Sequence, residues 1–174
     1  MVAVFRLRDL NVLVAAGFSL QENEVTMNDL RDLYQQMIID HSQHPHNFCT
    51  LEQPSHSKEG YNPLCGDKIT LYINEENGII TNVCFQGSGC AISTASASLM
   101  TDIVKNKTVT EVLELFDEFQ KLVTTGKVDD PEKIGKLSIL AGVSEFPMRV
   151  KCATLPWHTL KAALTKEEGV ASAE

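Results

Sequence analysis

The sequence predicts an α+β fold, a small antiparallel sheet of about three strands with helices packed mainly on one of its faces. Residues 69–74 and 79–86 have the composition of strands, and Glu76-Asn77-Gly78 between them supplies a hairpin turn of the Asn-Gly type. Apolar residues recur at helical spacing in segments on both sides of this hairpin. The third strand is expected just before Pro63, where the sequence pattern is weakest.

Helical segments make up most of the remaining chain. Thr26 or Asn28 can cap the first helix, and Thr110 is positioned to cap the third. Pro156 is expected either in the first turn of the last helix, where a missing N–H is tolerated, or at a kink. In chain order, the predicted helices are residues 27–42, 90–105, 108–124 and about 157–166, with a short helical or irregular apolar piece at 134–143.

The composition is that of an ordinary globular domain and argues against several classes of function. The chain has 174 residues, of which 43% are hydrophobic and 22% are charged, and its formal net charge is −8. Nucleic acid and anionic lipid are disfavoured as partners, since binding either of them needs a basic face. No apolar run is long enough to predict a transmembrane helix.

We expect one domain at residues 27–166, flanked by two segments outside its core. Residues 1–26 contain two arginines followed by the apolar run 12–18, which superficially resembles a signal peptide. The run is short and no small-x-small cleavage site follows it, so we interpret residues 1–26 as an N-terminal extension of the fold. Residues 167–174 are expected to form a flexible tail.

Five cysteines, an odd number spread unevenly, do not form the pattern of a disulfide-rich secreted scaffold. Reduced thiols in a cytoplasmic protein are the better interpretation. Cys84, inside a predicted strand, is interpreted as a small buried hydrophobe, and Cys49 as incidental. His41 and His44 could share a helix face, but no cysteine or carboxylate group joins them, so a capping or packing role is preferred to a metal site.

The chemistry of the chain is concentrated in residues 62–67, Asn-Pro-Leu-Cys-Gly-Asp. Pro63 fixes its own φ, and Gly66 can adopt a positive φ, so the two favour a tight turn. This turn places the soft thiol of Cys65 and the hard carboxylate of Asp67 one residue apart at the mouth of the sheet. A metal, a nucleophile or an inert loop are all compatible with that pair.

Two further cysteines lie beside features that favour a thiolate. Cys90 falls at the start of a predicted helix, where the helix dipole lowers a thiol pKa. Arg149 and Lys151 flank Cys152, and cations lower a thiol pKa in the same sense, although a solvated basic pair is an equally good interpretation. The wide intervals lack the regularity of a zinc knuckle, but three thiolates and a carboxylate match the ligand types of tetrahedral zinc.

Three motifs in this order resemble the IscU/NifU-N superfamily of iron–sulfur cluster assembly proteins, and most closely its SufU branch. They are Asn-Pro-Leu-Cys-Gly-Asp at 62–67, Gly-Ser-Gly-Cys-Ala-Ile-Ser at 87–93 and Arg-Val-Lys-Cys-Ala-Thr-Leu-Pro-Trp at 149–157. The resemblance covers about residues 27–164. Lys151 stands where the scaffold branch has a histidine, and residues 127–146 match an insertion that is typical of the SufU branch.

The resemblance implies an IscU/SufU-like fold and a zinc ion held by Cys65, Asp67, Cys90 and Cys152. It also implies a zinc-dependent sulfurtransferase, in which a PLP-dependent cysteine desulfurase of the SufS type passes persulfide sulfur to the cysteine that matches Cys65. Downstream cluster-assembly proteins would then receive the sulfur. The residues alone do not distinguish Cys65 from the two other thiols as the acceptor.

Arg149 and Lys151 would support the anionic intermediate or the docking of the desulfurase. Two other functions stay open from the sequence. The first is a scaffold on which an iron–sulfur cluster is assembled by the same thiolates. The second is a purely structural zinc module, whose metal-free form should unfold. Loss of the scaffold branch's histidine at position 151 favours sulfur transfer over the scaffold role.

Overall fold

The computed structural model describes residues 26–173, so residues 1–25 of the predicted N-terminal extension lie outside the described part. None of the described helices is long and apolar enough to cross a membrane. In chain order the elements are α1 (Met27–Gln43), β1 (His56–Asn62), β2 (Asp67–Glu76), β3 (Ile79–Ser88), α2 (Ala91–Val104), α3 (Val109–Thr125), α4 (Pro131–Ile134), a 3₁₀ helix (Gly135–Glu145) and α5 (Pro147–Leu164).

The three strands form one antiparallel sheet in the order β1-β2-β3, which confirms the predicted α+β fold. The third strand lies before Pro63, as the sequence predicts. Burial alternates along β2, because successive side chains of a strand point to opposite faces. Leu71, Ile73 and Val83 are fully buried in the core that the sheet forms with the helices.

The hairpin between β2 and β3 closes through Asn77 and Gly78. Their φ angles are 53° and 79°, both in the left-handed region that a type I′ turn requires at its two central positions. Asparagine and glycine are the residues that adopt this conformation at least cost. The predicted Asn-Gly hairpin is therefore confirmed, and it sets the register in which Leu71 lies opposite Phe85.

Two of the long helices, α1 and α3, begin with a capping box. Thr26 caps α1 together with Asp29. Thr108 caps α3, since its hydroxyl accepts from the N–H of Glu111 while the Glu111 carboxylate accepts from the N–H of Thr108. The predicted cap at Thr110 is wrong, because this reciprocal pair starts the helix earlier.

The last helix, α5, begins at Pro147 rather than near residue 157, so Pro156 lies in its interior. Pro147 occupies the first turn, where no N–H is needed. Pro156 removes the helical hydrogen bond to the carbonyl of Cys152, and the hydroxyl of Ser96 donates to the next carbonyl, that of Ala153, at 2.6 Å. Packing against α2 therefore allows α5 to continue through Pro156, which the sequence suggests as a helix start. As a result, Cys152 lies within a helix.

Cys49 and Cys84 form a disulfide with their Cα atoms 5.2 Å apart, which corrects the prediction that all five thiols are reduced and that Cys49 is incidental. Cys84 is buried, as expected. The pairing arises because the connection after α1 runs beside β3, where the N–H of Phe85 donates to the carbonyl of Asn47 at 3.0 Å. The irregular sequence of this connection contains no periodicity from which its path could be predicted.

The last described residues lie against the free edge of β1. The N–H of Ala171 donates to the carbonyl of Glu59 at 2.8 Å, and its carbonyl accepts from the N–H of Tyr61 at 2.9 Å. Ala173 is buried. Within the described part of the tail expected at 167–174, Ala171 is thus attached to the sheet, because β1 is an edge strand whose unpaired backbone groups this segment satisfies.

At Gly60, β1 lies close against α5. A Cβ atom at this position would lie 2.0 Å from Oγ1 of Thr159, which is fully buried. We expect Gly60→Ala to lower the free energy of unfolding by about 1–3 kcal/mol through overpacking, measured by urea denaturation. Gly142→Ala is the matched control, since its Cβ would have no neighbour within 4 Å. Equal midpoints for the two variants would contradict the tight β1–α5 contact.

Candidate metal centre

Three of the predicted ligands meet at the end of the sheet where β2 begins. Sγ of Cys65, a carboxylate oxygen of Asp67 and Sγ of Cys152 lie within 4.8 Å of one another. Cys65 comes from the turn between β1 and β2, Asp67 is the first residue of β2, and Cys152 comes from α5. The site therefore needs the sheet and the last helix to be packed together.

The turn that presents Cys65 is held by Asn62 and Gly66. Gly66 has a φ of 72°, and its N–H donates to the carbonyl of Asn62 at 2.8 Å. The side-chain carbonyl of Asn62 also accepts from the N–H of Leu64 at 3.2 Å. The positive φ expected at Gly66 is thus present, and Asn62 closes the turn at the last rung between β1 and β2.

Asp67 is fully buried and hydrogen-bonded on both carboxylate oxygens. Oδ1 accepts from the N–H of Cys90 at 2.8 Å, and Oδ2 accepts from Nδ2 of Asn62 at 3.3 Å. The same amide nitrogen of Asn62 lies 3.7 Å from Sγ of Cys152. Asn62 is thus a site residue that the sequence pattern did not indicate by its chemistry. Its place at the first position of the Asn-Pro-Leu-Cys-Gly-Asp turn puts it directly opposite Asp67 once β1 and β2 pair.

Cys90 lies beside this group rather than within it. It is the N-cap of α2, as its predicted position at a helix start implies, and its Sγ accepts from the N–H of Ser93 at 3.5 Å. Among the described residues, the group with ligand atoms within 4.8 Å does not include Cys90. A Cβ at the preceding Gly89 would lie 2.9 Å from Oδ1 of Asp67, so glycine allows the two segments to approach.

The thiol of Cys152 is fully buried, whereas that of Cys65 is exposed. Cys152 donates to Sγ of Cys65 at 2.9 Å. Burial, followed by hydrogen bonds to Cys65 and Asp67 and by the charge of Cys90, raises the pKa of the Cys152 thiol. Acidic groups this close cannot all lose their protons unless a cation compensates them, and soft sulfur with one hard oxygen is a ligand set that suits zinc.

The two basic residues near Cys152 face different surroundings. Arg149 is exposed but lies close enough to the thiols that Cys90 and Cys152 raise the pKa of its guanidinium group. Lys151 instead lines a cavity of about 290 Å³ together with Thr124 of α3 and His158. The structure therefore places Arg149 beside the thiols, whereas Lys151 borders this cavity.

The histidines at the end of α1 form packing contacts. His41 is buried, and its Nδ1 lies 2.8 Å from Oγ of Ser98 in α2. His46 pairs with Asp102 at 2.6 Å. Within residues 26–173 no second group of potential metal ligands accompanies the cluster at Cys65. These contacts support the packing role preferred from the sequence.

Exposed apolar side chains lie on the turn that carries Cys65 and at the start of α5, the helix that carries Cys152. Leu64 precedes Cys65 in the turn and is 51% exposed, while Phe146 and Met148, at and before the start of α5, are each 56% exposed. Phe146 also borders an apolar groove between α1 and the 3₁₀ helix, at whose rim Arg149 lies. An apolar rim with one cation is typical of a surface that contacts a protein.

The chain resembles characterised proteins over most of its length. The sequence profile described as the NifU-like N terminal domain matches residues 33–165. The zinc-dependent sulfurtransferase SufU of Bacillus subtilis is 40% identical over 141 residues, which are 81% of this chain and 95% of that protein. The iron–sulfur cluster assembly scaffold protein IscU of Streptococcus pyogenes is 38% identical over 142 residues, 82% of this chain and 89% of its own length.

Solved structures show the same architecture. A putative iron–sulfur cluster assembly scaffold protein for the SUF system from Fervidobacterium islandicum superposes with a TM-score of 0.72 at 36% identity, covering 77% of this chain and 98% of that chain. The N-terminal part of a NifU-like protein from Brucella abortus has a TM-score of 0.71 at 18% identity, covering 80% and 99%, and this likeness concerns the fold alone.

Proposed function

This chain belongs to the NifU-like N-terminal domain family of iron–sulfur cluster assembly proteins, and we propose that within it the chain is a zinc-dependent sulfur acceptor for a cysteine desulfurase in the cytoplasm. The observation that carries the proposal is the contact of an exposed thiol, Cys65, with the buried thiol of Cys152 and the buried carboxylate of Asp67. Cys90, at the start of α2, supplies the remaining ligand.

Zinc fits this group by its chemistry. Three thiols and one carboxylate are the donor types that structural and catalytic zinc sites use, and bound zinc keeps its thiolate ligands deprotonated at neutral pH. The chain itself orients the oxygen donor, since the N–H of Cys90 and the side chain of Asn62 hold the two oxygens of Asp67. A buried carboxylate held in this way is preorganised to face a cation.

Cys65 suits the role of acceptor because it is the exposed thiol of the group. Its thiolate attacks the outer sulfur of a persulfide on the desulfurase, and the sulfur–sulfur bond of that persulfide breaks. The desulfurase cysteine leaves as a thiolate, and the transferred sulfur remains on Cys65 as a new persulfide. Arg149 lies beside the thiols and stabilises this anionic product by its charge.

The exposed apolar side chains on the turn of Cys65 and at the start of α5 support a protein donor rather than a small molecule. Leu64, Phe146 and Met148 are more than half exposed, so a desulfurase of the SufS type can bury them when it brings its persulfide to the thiol. Arg149 would complement an acidic group of that enzyme. After dissociation Cys65 is exposed again, which allows transfer to downstream cluster-assembly proteins.

The scaffold function is the second candidate, favoured by relatives such as the IscU protein of Streptococcus pyogenes. Metal analysis distinguishes the two. We expect protein purified anaerobically without a metal-binding tag to be colourless and to contain one zinc per chain, because the carboxylate and thiolates form a closed four-ligand set. A brown protein with iron and acid-labile sulfide instead of zinc would contradict the proposal and support the scaffold.

A further inference from the structure

The disulfide between Cys49 and Cys84 lies apart from the metal centre, whose three cysteines are free. We propose that Cys49 and Cys84 form a redox-active modification site, at which a dithiol reductant opens the disulfide and releases the connection between α1 and β1 from the sheet. The proposal is independent of the function proposed above, because none of its residues contributes to the metal centre.

The pair occupies the face of the sheet that the helices leave uncovered. Val83 and Phe85 belong to the hydrophobic core, so Cys84 between them points to the opposite face, as does Tyr72, its partner in register on β2. Cys84 is nevertheless only 3% exposed. Since the connection that carries Cys49 is cross-linked to it, we infer that this connection provides the cover.

The two sulfurs differ in their accessibility. Cys49 is exposed, whereas Cys84 is buried, so an incoming thiolate reaches the sulfur of Cys49. The attack forms a mixed disulfide on Cys49, breaks the bond to Cys84, and Cys84 leaves as a thiolate that takes up a proton. The second thiol of the reductant then displaces Cys49, so the reductant is oxidised to a disulfide by two electrons and the pair is reduced to two thiols.

The disulfide holds the middle of a connection that is otherwise attached near its ends. Before the disulfide, the backbone carbonyl of Asn47 accepts from the N–H of Phe85, and the side-chain amide of Asn47 donates to Oγ1 of Thr101 in α2. After it, the N–H of Ser55 donates to Oδ1 of Asn74. Opening the disulfide therefore frees most of the chain between Asn47 and Ser55, while both attachments and the edge contact of the Phe48 ring with Phe85 remain.

The ring closed by the disulfide also contains part of the metal centre. It spans 35 positions and includes β1, the turn with Cys65 and Asp67, β2 and half of β3. The contacts of Asp67 with Cys90 and Asn62 do not involve the disulfide. Opening is therefore expected to loosen the connection without changing the metal content.

Alkylation followed by intact-mass measurement tests the proposal. Protein purified without reductant and denatured in chelator should take up three alkyl groups, the number of free cysteines, and five after treatment with dithiothreitol. Buffers of reduced and oxidised dithiothreitol should interconvert the two forms reversibly. Five groups without reductant after mild oxidation, or a disulfide mapped between Cys65 and Cys152 instead, would overturn the assignment.

Two measurements test the consequences on the folded protein. In the Cys84→Ser variant Cys49 should be alkylated rapidly without reductant, and in Cys49→Ser the thiol of Cys84 should react as well, because the released connection no longer covers it. Reduction of the wild type should increase amide hydrogen exchange at residues 48–54 and leave residues 65–67 and the zinc content unchanged. Unchanged exchange at 48–54 would overturn the release, and this result is separable from failure of the sulfur-acceptor function, which depends on Cys65.

Discussion

Replacing Cys65 with alanine is expected to abolish the stimulation of desulfurase turnover, so that the rate falls to that of the desulfurase alone. Cys65 is the exposed thiol of the group, whereas Cys152 is fully buried beneath it and Cys90 is half-buried at a helix start. A persulfide bound to a second protein can reach only a thiol at the surface. Removal of Cys65 therefore leaves no acceptor, even where the remaining ligands still hold metal.

The assay follows alanine produced from cysteine by a SufS-type desulfurase, with and without this protein. The double variant Cys49→Ser with Cys84→Ser is the matched control, since it removes two thiols outside the metal centre and should retain full stimulation. Cys90→Ala separates metal loss from acceptor loss, because excess zinc should restore stimulation to this variant and not to Cys65→Ala. Full stimulation by Cys65→Ala would refute the role given to this residue.

The parts of the fold that the sequence predicts well are those whose cause is local. Asn77 and Gly78 determine the hairpin because few other residues adopt positive φ at both positions of a type I′ turn. Gly66 determines the turn that carries Cys65 for the same reason. Cys90 could be placed at a helix start because its neighbours on either side change composition abruptly.

The errors concern features whose cause is tertiary. Pro156 suggests a helix start, but α5 continues through it because packing against α2, including the hydrogen bond from Ser96 to the carbonyl of Ala153, outweighs the lost backbone bond. The path of Cys49 along β3 depends on long-range contacts of the connection, which no periodic pattern encodes. Local propensity alone contains neither kind of information.

The site shows the same division. The turn at 62–67 reveals a thiol and a carboxylate side by side, but the distance of either from Cys152 depends on how α5 packs on the sheet. Arg149 and Lys151 are two positions apart in α5, yet Arg149 lies beside the thiols while Lys151 borders the cavity next to α3, because residues two apart on a helix face different directions. The direction of each side chain depends on how α5 is rotated when it packs on the sheet.

Replacing Asp67 with asparagine or with alanine should separate the two roles of its carboxylate. Both variants lose the charged oxygen donor. We therefore expect zinc affinity to fall by at least about 100-fold, because losing a ligand should cost more than losing a residue that only hydrogen-bonds to a ligand. Asparagine retains an oxygen that can accept from the N–H of Cys90, whereas alanine leaves this N–H without its partner. In metal-free protein, alanine should therefore cost about 1–3 kcal/mol of unfolding free energy and asparagine much less.

Competition with a chromophoric chelator measures the affinity, and urea denaturation in excess chelator measures the metal-free stability. Asp102→Asn is the matched control, because its carboxylate is also hydrogen-bonded, to His46, but lies outside the metal centre. Unchanged zinc affinity in both Asp67 variants would show that the carboxylate is not a ligand. A metal-free asparagine variant that is as stable as the wild type but binds zinc weakly would instead establish that this buried carboxylate is retained for the metal, since the fold would need only its hydrogen bond.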